Sequence, residues 1–298
     1  MAEETMSLLS GQKPVFRFAP SPNGRLHLGH AFSAILNHDI AKATGGRFLL
    51  RIEDIDLTRC TAEFEQAIYT DLEWLDLTWE MPVRRQSDHF EHYKKGLEHL
   101  IEAGLAYPSF MSRQETKNFV ASFESDGKTW PRDPDGAPLY PPLDKQRSSA
   151  EVIRLLSSSA KHAWRLDMDK AISSLQHPIT WEENGTGTMT TIQAQPAAWG
   201  DVVLSRSDAP SSYHLSVVLD DALQAVSHVV RGMDLYHATS VHRLLQELLS
   251  LPAPRYHHHR LILDDEGKKL SKSVASTSLS ALRDRGLQPS DIRSLLGI

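Results

Sequence analysis

The chain has 298 residues, 40% of them hydrophobic and 23% charged, with a formal net charge of −6 and one cysteine. That length allows one large or two modest domains, and the composition is that of a globular protein, not a disordered or fibrous one. No apolar run approaches the ~20 residues of a membrane span. Met1 to Ser10 lacks a signal-peptide pattern, and Cys60 alone excludes an intrachain disulfide and fits a reducing cytoplasm. The acidic balance argues mildly against a nucleic-acid binder, although Arg255, His257 to Arg260, Lys268, Lys269 and Lys272 gather basic residues near the far end.

Val15, Phe16 and Phe18 predict a strand, and Pro20, Pro22 and Gly24 a turn after it. Apolar residues recur at helical spacing from Leu28 to Ala43, where Gly45-Gly46 stops the run. His27-Leu28-Gly29-His30 therefore stands at the first turn of a helix that follows a strand. Free backbone N–H groups and the positive end of the helix dipole favour a phosphate there. Phe48 to Ile52 reads as a second strand, with Glu53, Asp54 and Asp56 just past its end. Helices are predicted over Phe64 to Leu75 and His89 to Ala103. This alternation predicts an α/β fold: a Rossmann-like, doubly wound parallel sheet with ligands at the strand C-termini, residues 1–105 forming its first half.

Residues 106–198 break the pattern and predict an inserted α+β subdomain. Ser122 to Ser149 is rich in Pro and Gly and reads as loop. A short helix is expected at Glu151 to Leu156, and strands at Ala163 to Met168 and Ile179 to Glu182. Residues 199–250 return to the sheet pattern, with strands expected at Gly200 to Leu204, Tyr213 to Leu219 and Val226 to Val230 and a helix at His237 to Leu249. Asp220-Asp221 read as the end of the second of these strands, hydrogen-bonding locally. In residues 251–298, a strand candidate Leu261-Ile262-Leu263 precedes Lys268-Lys269-Leu270-Ser271-Lys272-Ser273 and a small helical tail. Lysines and hydroxyls on a loop neutralise and hydrogen-bond a polyphosphate. His257-His258-His259 do not predict a metal site, because successive residues of an extended chain face opposite ways.

His27-Leu28-Gly29-His30 and Lys269-Leu270-Ser271-Lys272-Ser273, in this order and each at its expected junction, resemble the signature pair of class I aminoacyl-tRNA synthetases. Arg17 to Ser21, Arg51 to Asp56 and Tyr213 to Arg231 resemble the glutamyl branch. The resemblance implies a ligase that joins L-glutamate to ATP, with Mg2+, as an adenylate and passes the glutamyl group to tRNA. It implies ATP contacts from His27, Gly29 and His30, His27 being the firmer assignment, and a grip on the leaving pyrophosphate by Lys272, with Lys269 secondary. For glutamate it implies Arg17 and Arg231 as side-chain and carboxylate partners, Glu53 on the amine, Ser21 and Tyr213 as hydroxyl contacts and Ala19 as a backbone contact. The short stretch after Ser273 resembles the members that carry no anticodon-binding domain, since such a domain usually needs ~50 or more residues. Those members transfer glutamate to the queuosine base of tRNA(Asp). Charging of tRNA(Glu) and a non-catalytic binding role remain the alternatives. A monomer is the default expectation.

The resemblance fails at one place. Relatives commonly hold a structural zinc in the insertion through cysteines, but Ser109 and Met111 stand at the matching positions and no cysteine follows Tyr140. A thiolate site cannot be built from Cys60 alone, so zinc is not expected, and the packing of the insertion is left open.

Overall fold

The computed structural model describes residues 13–158, 160–185, 187–263 and 277–298. The first third alternates as predicted: β1 (Val15–Phe18), α1 (Leu28–Ala43), β2 (Arg47–Ile52), α2 (Ala62–Trp74), β3 (Glu80–Arg85) and α3 (Phe90–Glu102). The three strands pair in parallel in the order β1-β2-β3. Then come β4 (Ala106–Ser109), α4 (Arg113–Ser125), α5 (Ser149–Ser157), β5 (Ala163–Leu166), α6 (Met168–Ser173), β6 (Thr180–Glu183), β7 (Thr190–Gln193) and β8 (Val203–Arg206). The chain ends with α7 (Tyr213–Leu223), β9 (His228–Gly232), α8 (Thr239–Leu248), β10 (Arg255–His259), α9 (Leu279–Asp284) and α10 (Pro289–Leu296).

β9, β10 and β6 are parallel neighbours, and β7 lies antiparallel on β6. This sheet meets the first one between β9 and β1. The Ser227 N–H donates to the Val15 carbonyl at 3.1 Å, and the Val15 N–H donates to Ser227 Oγ at 2.8 Å. Strand period then sorts the helices onto two faces. Phe16, Phe18, Phe48 and Leu50 point into a core with α1, α2, α9 and α10. Val15 and Leu49 point the other way, into a core with α3, α7 and α8. Helices on both faces of a mostly parallel sheet make the doubly wound arrangement expected from the alternation. A separate antiparallel sheet, β4-β5-β8, stands beside it.

Several expectations need correction. Tyr213 to Leu219 is the start of a helix, not a strand. Leu215 to Asp221 are all buried, polar Ser216, Asp220 and Asp221 included, so no exposed face marks the helical period, and the short apolar run Val217 to Leu219 looks alike in helix and strand. Ser212 caps it, its side chain accepting from the Leu215 N–H. Asp220 and Asp221 therefore lie on a helix and not at a strand end. The strand near Gly200 runs from Val203 to Arg206 and pairs with β5 instead of the main sheet. The strand expected at Leu261 to Leu263 forms earlier, at Arg255–His259. The stretch from Ala163 turns helical after Asp167, whose side chain caps α6, and α4, for which no element was expected before Ser122, begins on a Ser112/Glu115 capping box and runs into the start of the expected loop.

The segment from β4 to β5 is held by carboxylate chemistry. Asp144, 3% exposed, accepts from the Phe110 N–H at 2.7 Å and the Met111 N–H at 3.3 Å. It also takes the Tyr140 hydroxyl, and Arg147 Nε at 2.6 Å. The Arg165 guanidinium lies 3.7 Å from the centre of the Tyr140 ring. Ser109 Oγ donates to the Ala163 carbonyl across β4 and β5. These contacts tie together the segments around Ser109, Met111 and Tyr140. Among the described residues, no three His, Cys, Asp or Glu side chains are grouped as a metal site requires, and no helix is long and apolar enough to cross a membrane.

Candidate active site

The C-terminal ends of β1, β2, β9 and β10 open into a cavity of about 600 Å³. It lies where β1 leads to β2 on one side and β9 meets β10 on the other, the crevice in which open α/β sheets take ligands. Arg17, Ala19, Ser21, His27, Gly29, His30, Glu53, Tyr213 and Arg231 all line it. Every predicted site residue that the structure describes is thus brought to one cleft. Lys269 and Lys272 lie outside the described residues, but Leu261 and Ile262, before them, line the same cavity. After them, Ser278 bridges to His27, and the Leu279 N–H donates to the Leu26 carbonyl at 2.8 Å.

His27 is the N-cap of α1. Its Nδ1 accepts the Gly29 N–H at 3.1 Å, while His30 Nδ1 accepts the His27 N–H at 3.2 Å. Both imidazoles therefore use Nδ1 as an acceptor, which puts the proton of each neutral ring on Nε2. The rings sit 3.8 Å apart between centres. Gly29 is needed for this geometry, because a Cβ there would stand 3.0 Å from His27 Cε1 and 3.1 Å from Nδ1. His27 thus caps the helix, and the cap aims the pair along the helix start.

Under the cleft lies a buried ion network. Arg17 donates through Nε and Nη2 to the two carboxylate oxygens of Asp221 at 3.1 and 3.3 Å. Arg51, fully buried, donates to Asp221 at 2.7 Å and to Glu53 at 3.0 Å. Asp220 accepts from Arg84 at 2.7 Å, Gln86 at 2.8 Å and Tyr93 at 2.9 Å. The two aspartates therefore bind distant residues, not local ones. Burial opposes the Asp221 charge, yet Arg17 and Arg51 hold its carboxyl below the usual range. For Glu53, burial wins over Arg51 and Arg17 and raises the carboxyl above its usual range.

Arg231 differs. Its partners are His258 Nε2 at 3.1 Å, His242 Nδ1 at 3.0 Å, Thr239 Oγ1 at 2.7 Å, the Leu235 carbonyl at 3.2 Å and Tyr213 Oη at 3.4 Å. Among the described residues none of these partners is a carboxylate, so its charge is not shared with one of them, whereas that of Arg17 is shared with Asp221. Sequence reading passed over His242 and Thr239 and weighed His258 only as a metal ligand. They sit in buried stretches of α8 and β10, and nothing in a single sequence marks a core histidine as an arginine's partner. The three consecutive histidines do part ways, His257 to the Asn184 carbonyl, His258 to Glu183 and Arg231, and His259 to the Arg260 carbonyl.

A mostly parallel sheet with an anion-ready helix start and, among the described residues, an arginine without a carboxylate partner in the same cleft makes a site suited to a nucleotide and a carboxylate. The family model "tRNA synthetases class I (E and Q), catalytic domain" matches residues 14–297, and the chain belongs to that family, whose members are ligases. A glutamyl-Q tRNA(Asp) synthetase of Rhodobacter capsulatus is 46% identical over 95% of this chain and 100% of its own length. A glutamate–tRNA ligase 2 of Xanthobacter autotrophicus is 34% identical over 96% of this chain, which spans 58% of that protein. Among solved structures, a glutamate tRNA ligase of Elizabethkingia meningosepticum superposes with a TM-score of 0.76 at 27% identity, covering 93% of this chain and 59% of that one.

Proposed function

We propose that this protein activates L-glutamate with ATP, brought in as its magnesium complex, and transfers the glutamyl group to the queuosine base of tRNA(Asp). The observation that carries the choice of acceptor is the 46% identity to the Rhodobacter glutamyl-Q tRNA(Asp) synthetase over that protein's whole length. Identity to the glutamate–tRNA ligases of Xanthobacter and Syntrophus is 34% and 32%. The cleft supports the first half of the reaction. A glutamate carboxylate oxygen attacks the α-phosphorus of ATP, and pyrophosphate leaves. A hydroxyl of the acceptor then attacks the adenylate carbonyl, and AMP leaves.

The protein supplies positioning and charge, not a covalent nucleophile. His27, Gly29 and His30 hold the phosphates at the start of α1, and Lys272, with Lys269 behind it, takes the pyrophosphate. Arg231 and Arg17 orient the two carboxylates, Glu53 the amine, Tyr213 and Ser21 contribute hydroxyls, and Ala19 a backbone contact. In this reading the enzyme is a cytoplasmic monomer. Residues 106–198 act as the insertion that contacts the acceptor, between the two halves of the catalytic domain at 1–105 and 199–250, with 251–298 carrying the lysine loop.

The deciding experiment measures labelled glutamate attached to tRNA(Asp) with and without queuosine, and to tRNA(Glu). Attachment only to queuosine-containing tRNA(Asp) is expected. Charging of tRNA(Glu) alone overturns the acceptor assignment, and absence of glutamate-dependent pyrophosphate exchange with any tRNA overturns the enzyme.

A further inference from the structure

Behind Arg231 the hydrogen bonds run in one direction. His258 Nδ1 donates to Glu183 Oε2 at 2.7 Å, and the His258 backbone N–H donates to Glu183 Oε1 at 2.9 Å. An imidazole that donates through Nδ1 can accept at Nε2, which is where Arg231 Nε arrives at 3.1 Å. On the other side Arg231 Nη1 reaches His242 Nδ1 at 3.0 Å, so that nitrogen is the acceptor. The His242 proton is then on Nε2, 3.1 Å from His214 Nδ1. An arginine only donates. Each imidazole facing it must therefore be neutral and of one tautomer, opposite in the two rings. His242 and His258 are 2% and 1% exposed, so water cannot substitute for a missing acceptor.

We propose that His242 and His258 are positioning residues for Arg231, two neutral imidazoles of opposite tautomer that fix the guanidinium without neutralising it. A carboxylate in their place would hold the arginine equally well but would consume the charge needed for the substrate, as Asp221 does for Arg17. The inference rests on the reading that Arg231 takes a glutamate carboxylate. Neither histidine touches the substrate in this arrangement. Their effect reaches glutamate only through Arg231.

The test starts from glutamate-dependent pyrophosphate exchange by the unaltered protein. Losing an acceptor for a charged donor is expected to raise the glutamate KM about 10- to 100-fold in His242→Leu. The ATP KM is expected to stay within about twofold, as for loss of a binding contact confined to one substrate. His242→Gln, whose amide offers one acceptor and one donor, recovers most of the loss. An unchanged glutamate KM, or equal changes in both KM values, overturns the proposal. Nitrogen-15 NMR of histidine-labelled unaltered protein at neutral pH keeps the question decidable if His242→Leu does not fold. It is expected to show Nε2–H at His242 and Nδ1–H at His258, and the reverse tautomer or a protonated ring at either position refutes the arrangement. If the unaltered protein exchanges no pyrophosphate with glutamate, the functional reading fails, and the tautomers still decide this inference separately.

Discussion

Glu53 shows how a residue's proposed task and its surroundings pull against each other. An ammonium group is held best by an ionised carboxylate, but burial raises the Glu53 carboxyl even though Arg51 donates to it at 3.0 Å. Protonation therefore sets in at a higher pH than for an exposed glutamate, and glutamate binding weakens as it does. The glutamate KM is expected to rise as pH falls toward the acid range while the ATP KM changes less. Glu53→Gln, uncharged at every pH, should remove that acid limb and start from a raised KM. Initial-rate measurements across pH check both. The residues that line the cleft, such as His27, Arg17, Glu53 and Arg231, were legible in the sequence, because their place at a strand end or helix start depends on local position. Their supporting partners were not. Asp221, His242 and Thr239 become partners only when α7 and α8 pack behind the sheet.

Elements with a clear period and a clear boundary matched their expectation closely. Leu28 to Ala43 was readable as a helix because its apolar stripe starts at a cap and stops at Gly45-Gly46. The helix at Tyr213 misled because full burial erases the polar face that would have revealed its period. Gly96 shows how closely such helices pack, since a Cβ there would stand 2.7 Å from Leu219 Cδ1, between α3 and α7. Between β4 and β5, one carboxylate substitutes for regular packing. Asp144→Ala leaves the Phe110 amide without its acceptor and takes one from the Met111 amide and from Arg147, which keep Tyr140 and Glu151, a loss of about 2–3 kcal/mol. A lower urea midpoint is expected, with faster hydrogen exchange at the amides of Phe110 and Met111 and no change at those of β1 and β2. Unchanged exchange at Phe110 and Met111 would show that Asp144 is not what holds this segment.

Across the molecule, the buried ions join segments that residues 106–198 separate in the chain. Arg17, Arg51 and Arg84 come before them and Asp220 and Asp221 after, so apart from the Arg51–Glu53 pair these charges meet only when the sheet closes. Buried imidazoles set the acid side of stability. His228, stacked 4.9 Å from Phe16 at the β9–β1 seam, has its pKa lowered to about 4, first by burial and then by Arg255. The folded state binds this proton less readily than the unfolded one, whose histidine titrates near its ordinary 6.5. Stability is therefore full above that value and declines as pH falls from it toward about 4. The thermal midpoint should fall over this window, and His228→Gln should flatten part of the decline. An equally steep decline in that variant would assign it to other groups.

The sequence by itself determined the strand–helix alternation, the helix start that carries the histidine pair and the identity of the charged side chains in the cleft. These follow from local spacing, capping and side-chain chemistry. Only the tertiary structure decided that β9 lies against β1, that Arg17 is shared with Asp221 and that Arg231 has no carboxylate partner among the described residues. Those outcomes depend on which distant segments are buried together, and burial sets both the hydrogen-bond partner of each charge and how much of it is left for a ligand.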